Sequence, residues 1–457
     1  MEENYISKDF LDGYSTYYSY CFENYPKVCR RIHFFRNEFD AKELTKQLLK
    51  DDDPEFWEGY LGFIVVKPIP ITVIGLTLLK TYSDPEDSRS FWGTRQYLIH
   101  LFGKQLKIES LAFQEQDSVI AACATTAIWS MLNKASLNFH TSLKSPSQIT
   151  RDADNISPDG SRLFPNKGLS ILQICQAIVN SGLVSEIKRP NIRHSKEMGQ
   201  VVSGVYIRKI LNAYSSLGIP IILVIKVPFG ENYGAHAIAV SGFKFIKPQI
   251  TAPKDEITWH SDNIEKIYAH DDQWGPFARL TFLNDGELEN HWTKNDPKKR
   301  PTLVQYIIVP VFPKVRISYE DIEAIVLGLD LILRLFFTNK IVADLVWDIK
   351  ILYSQDHKNG MRQYPLSEPA KINRLTLSLP KYVWVANCSV AGQKMMEFVF
   401  DATGVQNAML GIDIICFFSR KIRLDLQSFL RTNKQMLEPL IKHKGRGNYY
   451  KFFIESL

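Results

Sequence analysis

The segment at residues 113–135, FQEQDSVIAACATTAIWSMLNKA, changes from a polar loop to an apolar helical pattern at Cys123. Apolar side chains then recur at the spacing of one helix face, at Ala124, Ala127, Ile128, Met131 and Leu132. The segments 60–111 and 219–229 are rich in β-branched and aromatic residues, which is typical of strands. We therefore expect an α+β chain in which a helix packs on an antiparallel sheet, with Cys123 in the first turn of that helix.

Hydrophobic spacing predicts further elements in the middle of the chain. One helix is expected at 165–183, where Ser170 is a candidate N-cap and Gly182 a stop signal, and another at 204–218. Short apolar runs predict strands at 219–229, 235–246, 264–272, 277–283 and 302–312.

The two ends of the chain differ from this middle part. Residues 1–60 mix aromatic with charged side chains and are expected to be mostly helical, whereas 60–111 predicts a small antiparallel sheet. Beyond 313–318 we expect helices at 319–337 and 340–353, then three strands and a basic helix. The predicted division is an N-terminal region at 1–110, a central domain at 111–313 and a C-terminal α+β domain at 314–457.

Composition excludes several classes of protein. The net charge of +6, from 55 basic and 49 acidic residues among 457, is too weak a bias to indicate a nucleic-acid partner. Charged residues and prolines interrupt the most apolar runs, 64–79 and 322–337, so we expect no membrane span. The six cysteines are scattered, which predicts neither a structural zinc site nor a disulfide scaffold. The polar start MEENYISKDF is not a secretory signal, and we expect a reducing, cytoplasmic location.

A cysteine nucleophile needs a lowered thiol pKa and a neighbouring base, and the sequence offers candidates for both. The free N–H groups at a helix N-terminus favour the thiolate of Cys123. His236 is the best-placed base, because Gly234 allows close approach and an apolar strand follows. Asp271 and Asp272 end the next strand and could orient the imidazole. Since adjacent residues on a strand point to opposite faces, we expect only one of them to reach His236.

The order of these elements resembles the papain-like cysteine peptidase superfamily, in the style of the bacterial double-glycine peptidases. The resemblance covers roughly residues 110–285 and rests on a glutamine loop before a helix-borne cysteine, a Gly-x-His on a strand, and an acid followed by x-Trp-Gly. The family's Asn-Ser-Trp-Gly element aligns with residues 272–275, Asp-Gln-Trp-Gly, which implies that Asp272 rather than Asp271 orients His236. We also expect Trp274 to be buried, either as a lid over the histidine–aspartate hydrogen bond or as a core residue.

The chain departs from the family pattern around the cysteine. Cys-Ala-Thr-Thr stands where family members usually have Cys-Gly or Cys-Trp. The glutamine that would stabilise the oxyanion is usually six residues before the cysteine, and that position is Asp117. One extra loop residue would let Gln116 serve, and Gln114 is the alternative.

The resemblance implies a cysteine-dependent hydrolase that acts on a peptide or isopeptide bond of a protein or peptide. Cys123, His236 and Asp272 would form the triad, through an acyl-enzyme and with no cofactor or metal. The same machinery serves deamidation, transglutamination and acyl transfer, and the fold also allows a non-catalytic protein-binding module, a toxin or a defence effector. The oligomeric state stays open.

Each candidate also has a structural interpretation. Free cysteines are often buried packing residues, so Cys123 could simply fill a core. His236 could be a hydrogen-bonded core histidine, and the Asp271–Asp272 pair could form a turn. His270 is expected on the surface of its strand.

Overall fold

The structure is a computed structural model, and helix (35%) and strand (33%) contribute almost equally, which confirms the α+β class. It describes residues 1–50, 53–82, 86, 88–117, 122–154, 168–195, 199–248, 250–338, 340–406, 409–441 and 449–457. The chain forms two units, each built from segments that are distant in sequence. The first contains Met1–Gly204, Gly218–Phe245 and Glu265–Val311, and the second contains Val205–Leu217, Ile246–Ile264 and Phe312–Leu457. The predicted division into three domains stays a prediction.

Strands occur along the whole chain. In chain order they are β1 (Glu2–Tyr5), β2 (Cys29–Phe35), β3 (Tyr60–Val66), β4 (Ile74–Leu79), β5 (Arg89–Ser90), β6 (Arg95–Leu101), β7 (Lys104–Ser110), β8 (Val184–Lys188), β9 (Ile192–Ser195), β10 (Gly199–Val201), β11 (Ile221–Phe229), β12 (Asn232–Phe245), β13 (Thr258–Trp259), β14 (Ile264–Asp271), β15 (Gly275–Phe282), β16 (Glu287–Glu289), β17 (Thr302–Val311), β18 (Leu345–Tyr353), β19 (Tyr382–Val390), β20 (Gln393–Asp401) and β21 (Gly411–Cys416).

The α-helices alternate with these strands. They are α1 (Lys8–Thr16), α2 (Ala41–Lys50), α3 (Pro54–Glu58), α4 (Cys123–Phe139), α5 (Pro146–Ala153), α6 (Ile171–Val179), α7 (Gly204–Ser215), α8 (His291–Asn295), α9 (Tyr319–Phe337), α10 (Ser354–Met361), α11 (Glu368–Thr376), α12 (Arg420–Thr432), α13 (Lys434–Leu437) and α14 (Tyr449–Ser456).

The main sheet of the first unit carries the strands that the sequence predicted after residue 219. Its order is β11-β12-β14-β15-β16-β17-β8, and β17 also pairs with β11, so six strands close into a ring. Helix α4 packs on β11 and β12 and is buried along most of its length, because small and apolar side chains surround it. Ile128, Met131 and Leu132 are fully buried, and each such side chain contributes about 1.5–3 kcal/mol to folding. This packing holds the start of α4 in place against the sheet.

The second predicted helix of this unit is α6, and it begins as the sequence indicated. Ser170 is the N-cap, and its side chain accepts a hydrogen bond from the Gln173 N–H while Gln173 bonds back, forming a capping box. Gly182 follows the helix with φ of +92°, a conformation that favours glycine. Residues 165–167 of the predicted helix lie outside the described residues.

The expectation that residues 1–60 are mostly helical is confirmed in part, since α1, α2 and α3 lie in this region, but strands were not expected there. This region contains β1 and β2, which join β3 and β4 in an antiparallel sheet of order β1-β2-β3-β4. Arg30, Ile32 and Phe34 alternate with Arg31, His33 and Phe35 across the two faces of β2. The alternation with period two in β2 is short, and the charged and aromatic residues on either side of it favour a helical prediction.

The second unit confirms the predicted helix at 319–337, which is α9, and the three strands β19, β20 and β21. The predicted helix at 340–353 is wrong, because 345–353 forms strand β18. Burial alternates along β18 with period two, and the strand pairs with β19 over its whole length. Within the described parts of the chain, none of the helices has the length and apolarity that crossing a membrane requires.

Candidate active site

Cys123 is the first residue of α4, as the sequence predicted. The preceding residue, Ala122, is the N-cap with an extended backbone, and its methyl group cannot cap the helix. The backbone N–H of Cys123 is therefore one of the unpaired donors at the N-terminus of a long helix. The side chain is half-buried and opens into a cleft. The sulfur therefore lies at the end of the helix that carries partial positive charge.

His236 lies in the middle of β12, opposite Ile225 of β11, and only 7% of it is exposed. Its Nε2 contacts Asp271 Oδ1 at 3.0 Å and Asp272 Oδ1 at 3.4 Å. Cys123 lines the same cleft as His236 and is among the groups that raise the pKa of its ring. The imidazole therefore lies next to two carboxylates in a cleft that it shares with the thiol.

Burial and charge act in opposite directions on His236. Burial by itself would lower the pKa of the imidazole. The hydrogen bond to Asp271 and the Cys123 side chain, together with the negative charges of both aspartates, outweigh that effect and raise the pKa of His236 well above its usual value. The cationic form of the histidine is thus favoured in the folded protein.

Asp271 is the last residue of β14, the strand next to β12, and it is 3% exposed. Its Oδ1 accepts from His236 Nε2 and from the Gln273 backbone N–H, at 3.0 Å each. Its Oδ2 accepts from the Trp292 indole Nε1–H at 3.0 Å. Three donors fix this carboxylate, so it holds the imidazole in one orientation.

Asp272 also reaches His236, so the expectation that only one aspartate could do so is wrong. The pairing of β14 with β15 is irregular between Ala269 and Asp271, and Asp272 already lies in the turn that follows. The alternation of side chains along a strand therefore does not extend to it. The hydrogen bond from His236 goes to Asp271, the residue that the sequence gave only as the alternative to Asp272.

The two carboxylates have different surroundings. Asp272 is 5% exposed, and its Oδ2 accepts a weak hydrogen bond of 3.3 Å from the Gln273 side chain. Among the described residues, its Oδ1 has no hydrogen-bond donor. Burial raises the pKa of Asp272 to about 6, and the charge of His236 opposes the effect while that of Asp271 adds to it.

Trp292 is a residue of the site that the sequence did not reveal. It lies on the short helix α8, donates to Asp271, and packs edge-on against the His236 ring at 5.4 Å between centroids. The expectation that Trp274 is a buried lid is wrong, because Trp274 is 37% exposed and stacks on His291 instead. No local pattern connects a tryptophan on α8 with an aspartate twenty-one residues earlier.

Gln116 lines the cleft together with Cys123 and His236. The alternative, Gln114, lies elsewhere, in a small cavity beside Tyr18 and Lys67. The side chains brought together at the cleft are therefore those of the sequence-based candidates, with Gln116 rather than Gln114 on its wall.

The cleft has a volume of about 740 Å³, which suits part of a peptide chain. Much of its lining is apolar and comes from Leu169, Ile174, Val224, Val227, Phe229, Ala235 and Ala237. Phe229 is 70% exposed at the end of β11, so an apolar ring is open to solvent at the wall of the cleft.

His270, on β14, is not a surface residue as expected but is 3% exposed. Its Nδ1 accepts from the Phe277 backbone N–H at 3.2 Å, and Nε2–H donates to the Leu111 carbonyl at 3.0 Å. Burial lowers the pKa of His270 to about 4. It is a neutral core histidine with both nitrogens satisfied.

His236, Asp271 and Asp272 also form the group of side chains that could hold a metal ion, with their ligand atoms within 4.8 Å of one another. One imidazole and two carboxylates are ligands that zinc accepts. Both oxygens of Asp271 already accept hydrogen bonds, from His236, Gln273 and Trp292. A metal ion would have to displace the first of these, so the contacts favour a hydrogen-bonded triad.

No protein-family description matches the sequence of this chain. No curated protein matches it either.

Proposed function

We propose that this protein is a cysteine-dependent hydrolase with a papain-like active site, acting on a peptide or isopeptide bond. The observation that carries the proposal is the position of His236, which hydrogen-bonds to Asp271 and lines one cleft together with Cys123. The mounting of the cysteine on a buried helix and of the other two on an antiparallel sheet supports the same proposal.

In the proposed mechanism, the proton of the Cys123 thiol already resides on His236, as a thiolate–imidazolium pair, and the thiolate attacks the carbonyl carbon. The carbonyl π electrons move onto oxygen, and the Cys123 backbone N–H and the Gln116 side chain donate hydrogen bonds to it. As the tetrahedral intermediate collapses, the C–N bond breaks and His236 gives its proton to the leaving amine. Water, deprotonated by His236, then attacks the thioester, releasing the acid and restoring the thiol.

Asp271 fixes the imidazole and stabilises its cationic form throughout this cycle, with Asp272 adding a second negative charge. The apolar lining of the cleft supports a peptide substrate with an apolar side chain near the bond that is cleaved. All six cysteines, each within the described residues, are free thiols, which supports a reducing location such as the cytoplasm.

Alkylation by iodoacetamide tests the proposal, with mass spectrometry to follow each cysteine. Burial raises the thiol pKa of Cys29, Cys175, Cys388 and Cys416, so these should react slowly at pH 7. Cys123 should react about thirtyfold faster than a thiol with an ordinary pKa near 8.5, of which only a few per cent is ionised at pH 7. His236→Ala should remove that advantage.

His100→Ala is the matched control, because His100 is exposed on β6 away from the cleft-lining residues. This variant should be alkylated like the wild type. If Cys123 reacted no faster than Cys21, or if its rate ignored His236→Ala, the proposed hydrolase would have to be abandoned in favour of a binding module.

A further inference from the structure

The loop that carries Gln116 is fastened to the N-terminal region of the first unit. Phe113 exchanges two backbone hydrogen bonds with Thr77 of β4, of 2.8 and 3.1 Å. Glu115 is held twice by Ile74: its N–H donates to the Ile74 carbonyl at 3.2 Å, and its Oε2 accepts from the Ile74 N–H at 3.1 Å. The loop is thus fixed up to the residue before Gln116.

The residue after Gln116 is fixed as well, through its side chain. Tyr18 donates its hydroxyl to Asp117 Oδ2 at 2.8 Å, and Lys67 Nζ lies 3.7 Å from the same oxygen. All three residues are buried, with exposed fractions of 8% for Tyr18, 7% for Lys67 and 9% for Asp117. Tyr18 and Lys67 therefore reach Asp117 from segments that are far from it in sequence.

The ion pair at this point is constrained by burial. Burial lowers the pKa of Lys67, and the negative charges of Asp117 and Glu115 oppose that shift. A buried lysine that loses its partner is strongly unfavourable, so Lys67 and Asp117 hold each other in place. Asp117 occupies the position at which the papain-like family has its oxyanion glutamine, and here its carboxylate is engaged with Tyr18 and Lys67.

We propose that Tyr18 and Lys67 are positioning residues for Gln116, acting through Asp117. Gln116 lies on the cleft wall between two anchored neighbours, Glu115 and Asp117. A hydrogen-bond donor for an oxyanion is effective when it is held in place before the reaction begins. The inference rests on the proposed hydrolase function, and it makes the N-terminal region a part of the catalytic machinery.

Two reagents that react with the Cys123 sulfur distinguish the positioning of Gln116 from a general disturbance of the active site. Alkylation of Cys123 by iodoacetamide displaces iodide and forms no oxyanion, so it reports only the cysteine–histidine pair. Acylation by p-nitrophenyl acetate passes through an oxyanion: the thiolate adds to the ester carbonyl, p-nitrophenolate leaves, and an acetyl thioester remains. The release of p-nitrophenolate measures the second reaction, and neither reagent depends on peptide specificity.

Gln116→Ala should slow acylation about a hundredfold, the effect of removing one oxyanion donor. Tyr18→Phe and Lys67→Gln should each slow it about tenfold, since they loosen the donor without removing it. Alkylation should be unchanged in all three variants. Because Tyr18 acts through Gln116, the Tyr18→Phe/Gln116→Ala double variant should be no slower than Gln116→Ala alone.

Tyr25→Phe is the matched control, because the Tyr25 hydroxyl donates to exposed Glu23, its one hydrogen-bond partner among the described residues, while its ring packs on Tyr18. It should acylate at the wild-type rate. If Tyr18→Phe and Lys67→Gln were acylated at the wild-type rate while Gln116→Ala was slow, the inference would be overturned. The same holds if the rate losses of the two single variants multiplied in the double variant. Neither result would count against the proposed hydrolase. If Cys123 of the wild type were alkylated no faster than Cys123 of His236→Ala, the proposed hydrolase function itself would be overturned.

Discussion

Two buried histidines on neighbouring strands of the main sheet have opposite protonation behaviour. His236 on β12 and His270 on β14 are both more than nine-tenths buried. The pKa of His270 is lowered to about 4 by burial, whereas the pKa of His236 is raised well above its usual value. Backbone groups satisfy His270, while Asp271, Asp272 and Cys123 surround His236.

The difference shows that burial does not decide what a core histidine does. Desolvation pushes both imidazoles toward the neutral form, and only nearby negative charge reverses it. His270 contributes packing and two hydrogen bonds. The environment of His236 instead favours the cationic form, and under the proposed function this histidine has a chemical role.

The largest effect on the acylation rate is expected from removing the negative charge of Asp271, which lies beside His236 and has no counterpart among the described residues beside His270. Asp271→Asn should slow acylation of Cys123 by p-nitrophenyl acetate about a thousandfold, in line with the loss of the orienting acid in other triads. The pKa of His236 should fall toward that of His270. Alkylation of Cys123, followed against pH, should then shift to higher pH, toward an ordinary thiol.

Asp272→Asn is the companion variant. Because Asp271 keeps the hydrogen bond to His236 Nε2, acylation should fall only about tenfold, by the loss of one nearby charge. If Asp272→Asn were acylated more slowly than Asp271→Asn, Asp272 would be the orienting acid. The alignment with the papain-like family, which favoured Asp272, would then be right.

The neutral histidine makes a prediction about stability. Between pH 6.5 and 4 the unfolded protein protonates residue 270 and the folded protein does not, so stability falls as the pH drops through this window. The loss is about 3 kcal/mol for a shift of this size. His236 has the opposite sign, since its contribution is complete below the unfolded pKa and is lost as the pH rises through its folded pKa.

Urea unfolding at pH 7 and pH 4.5 measures the effect for His270. His270→Gln should lose about 2–3 kcal/mol less stability between the two pH values than the wild type does, even if it is less stable at both. Other titrating groups are common to the two proteins and cancel. An unchanged difference would mean that His270 is protonated in the folded core.

The smallest effect on acylation is expected from Trp292, which donates a hydrogen bond to Asp271, the partner of His236. Trp292→Phe keeps an aromatic ring beside His236 but removes the donor to Asp271 Oδ2. Acylation should slow about fivefold, the equivalent of one hydrogen bond of about 1 kcal/mol. Trp274→Phe is the control and should be neutral; the reverse order would restore the lid role that the sequence assigned to Trp274.

The parts of the site that the sequence predicted correctly are those set by local pattern. A cysteine at the start of an apolar helix, a histidine within an apolar strand and an acidic pair at a strand end are each visible within about a dozen residues. The α+β class followed from the same periodicities. The strand at 345–353 was not predicted, although its β-branched and aromatic residues and its alternating burial are typical of a strand.

The parts that could not be predicted depend on contacts between distant segments. The choice between Asp271 and Asp272 depends on an irregularity in the pairing of β14 and β15, and Trp292 enters through the folding of α8. The anchoring of Asp117 by Tyr18 spans 99 residues and leaves no local signal. Tertiary geometry fixes all three.

The separation of these residues along the chain has a consequence during translation. A ribosome produces Cys123 and His236 well before Asp271, and Trp292 last of all. A nascent polypeptide therefore carries its nucleophile and base without the group that aligns them. Under the proposed function, the growing chain lacks most of its activity until β14 has been added, so the order of synthesis delays cleavage.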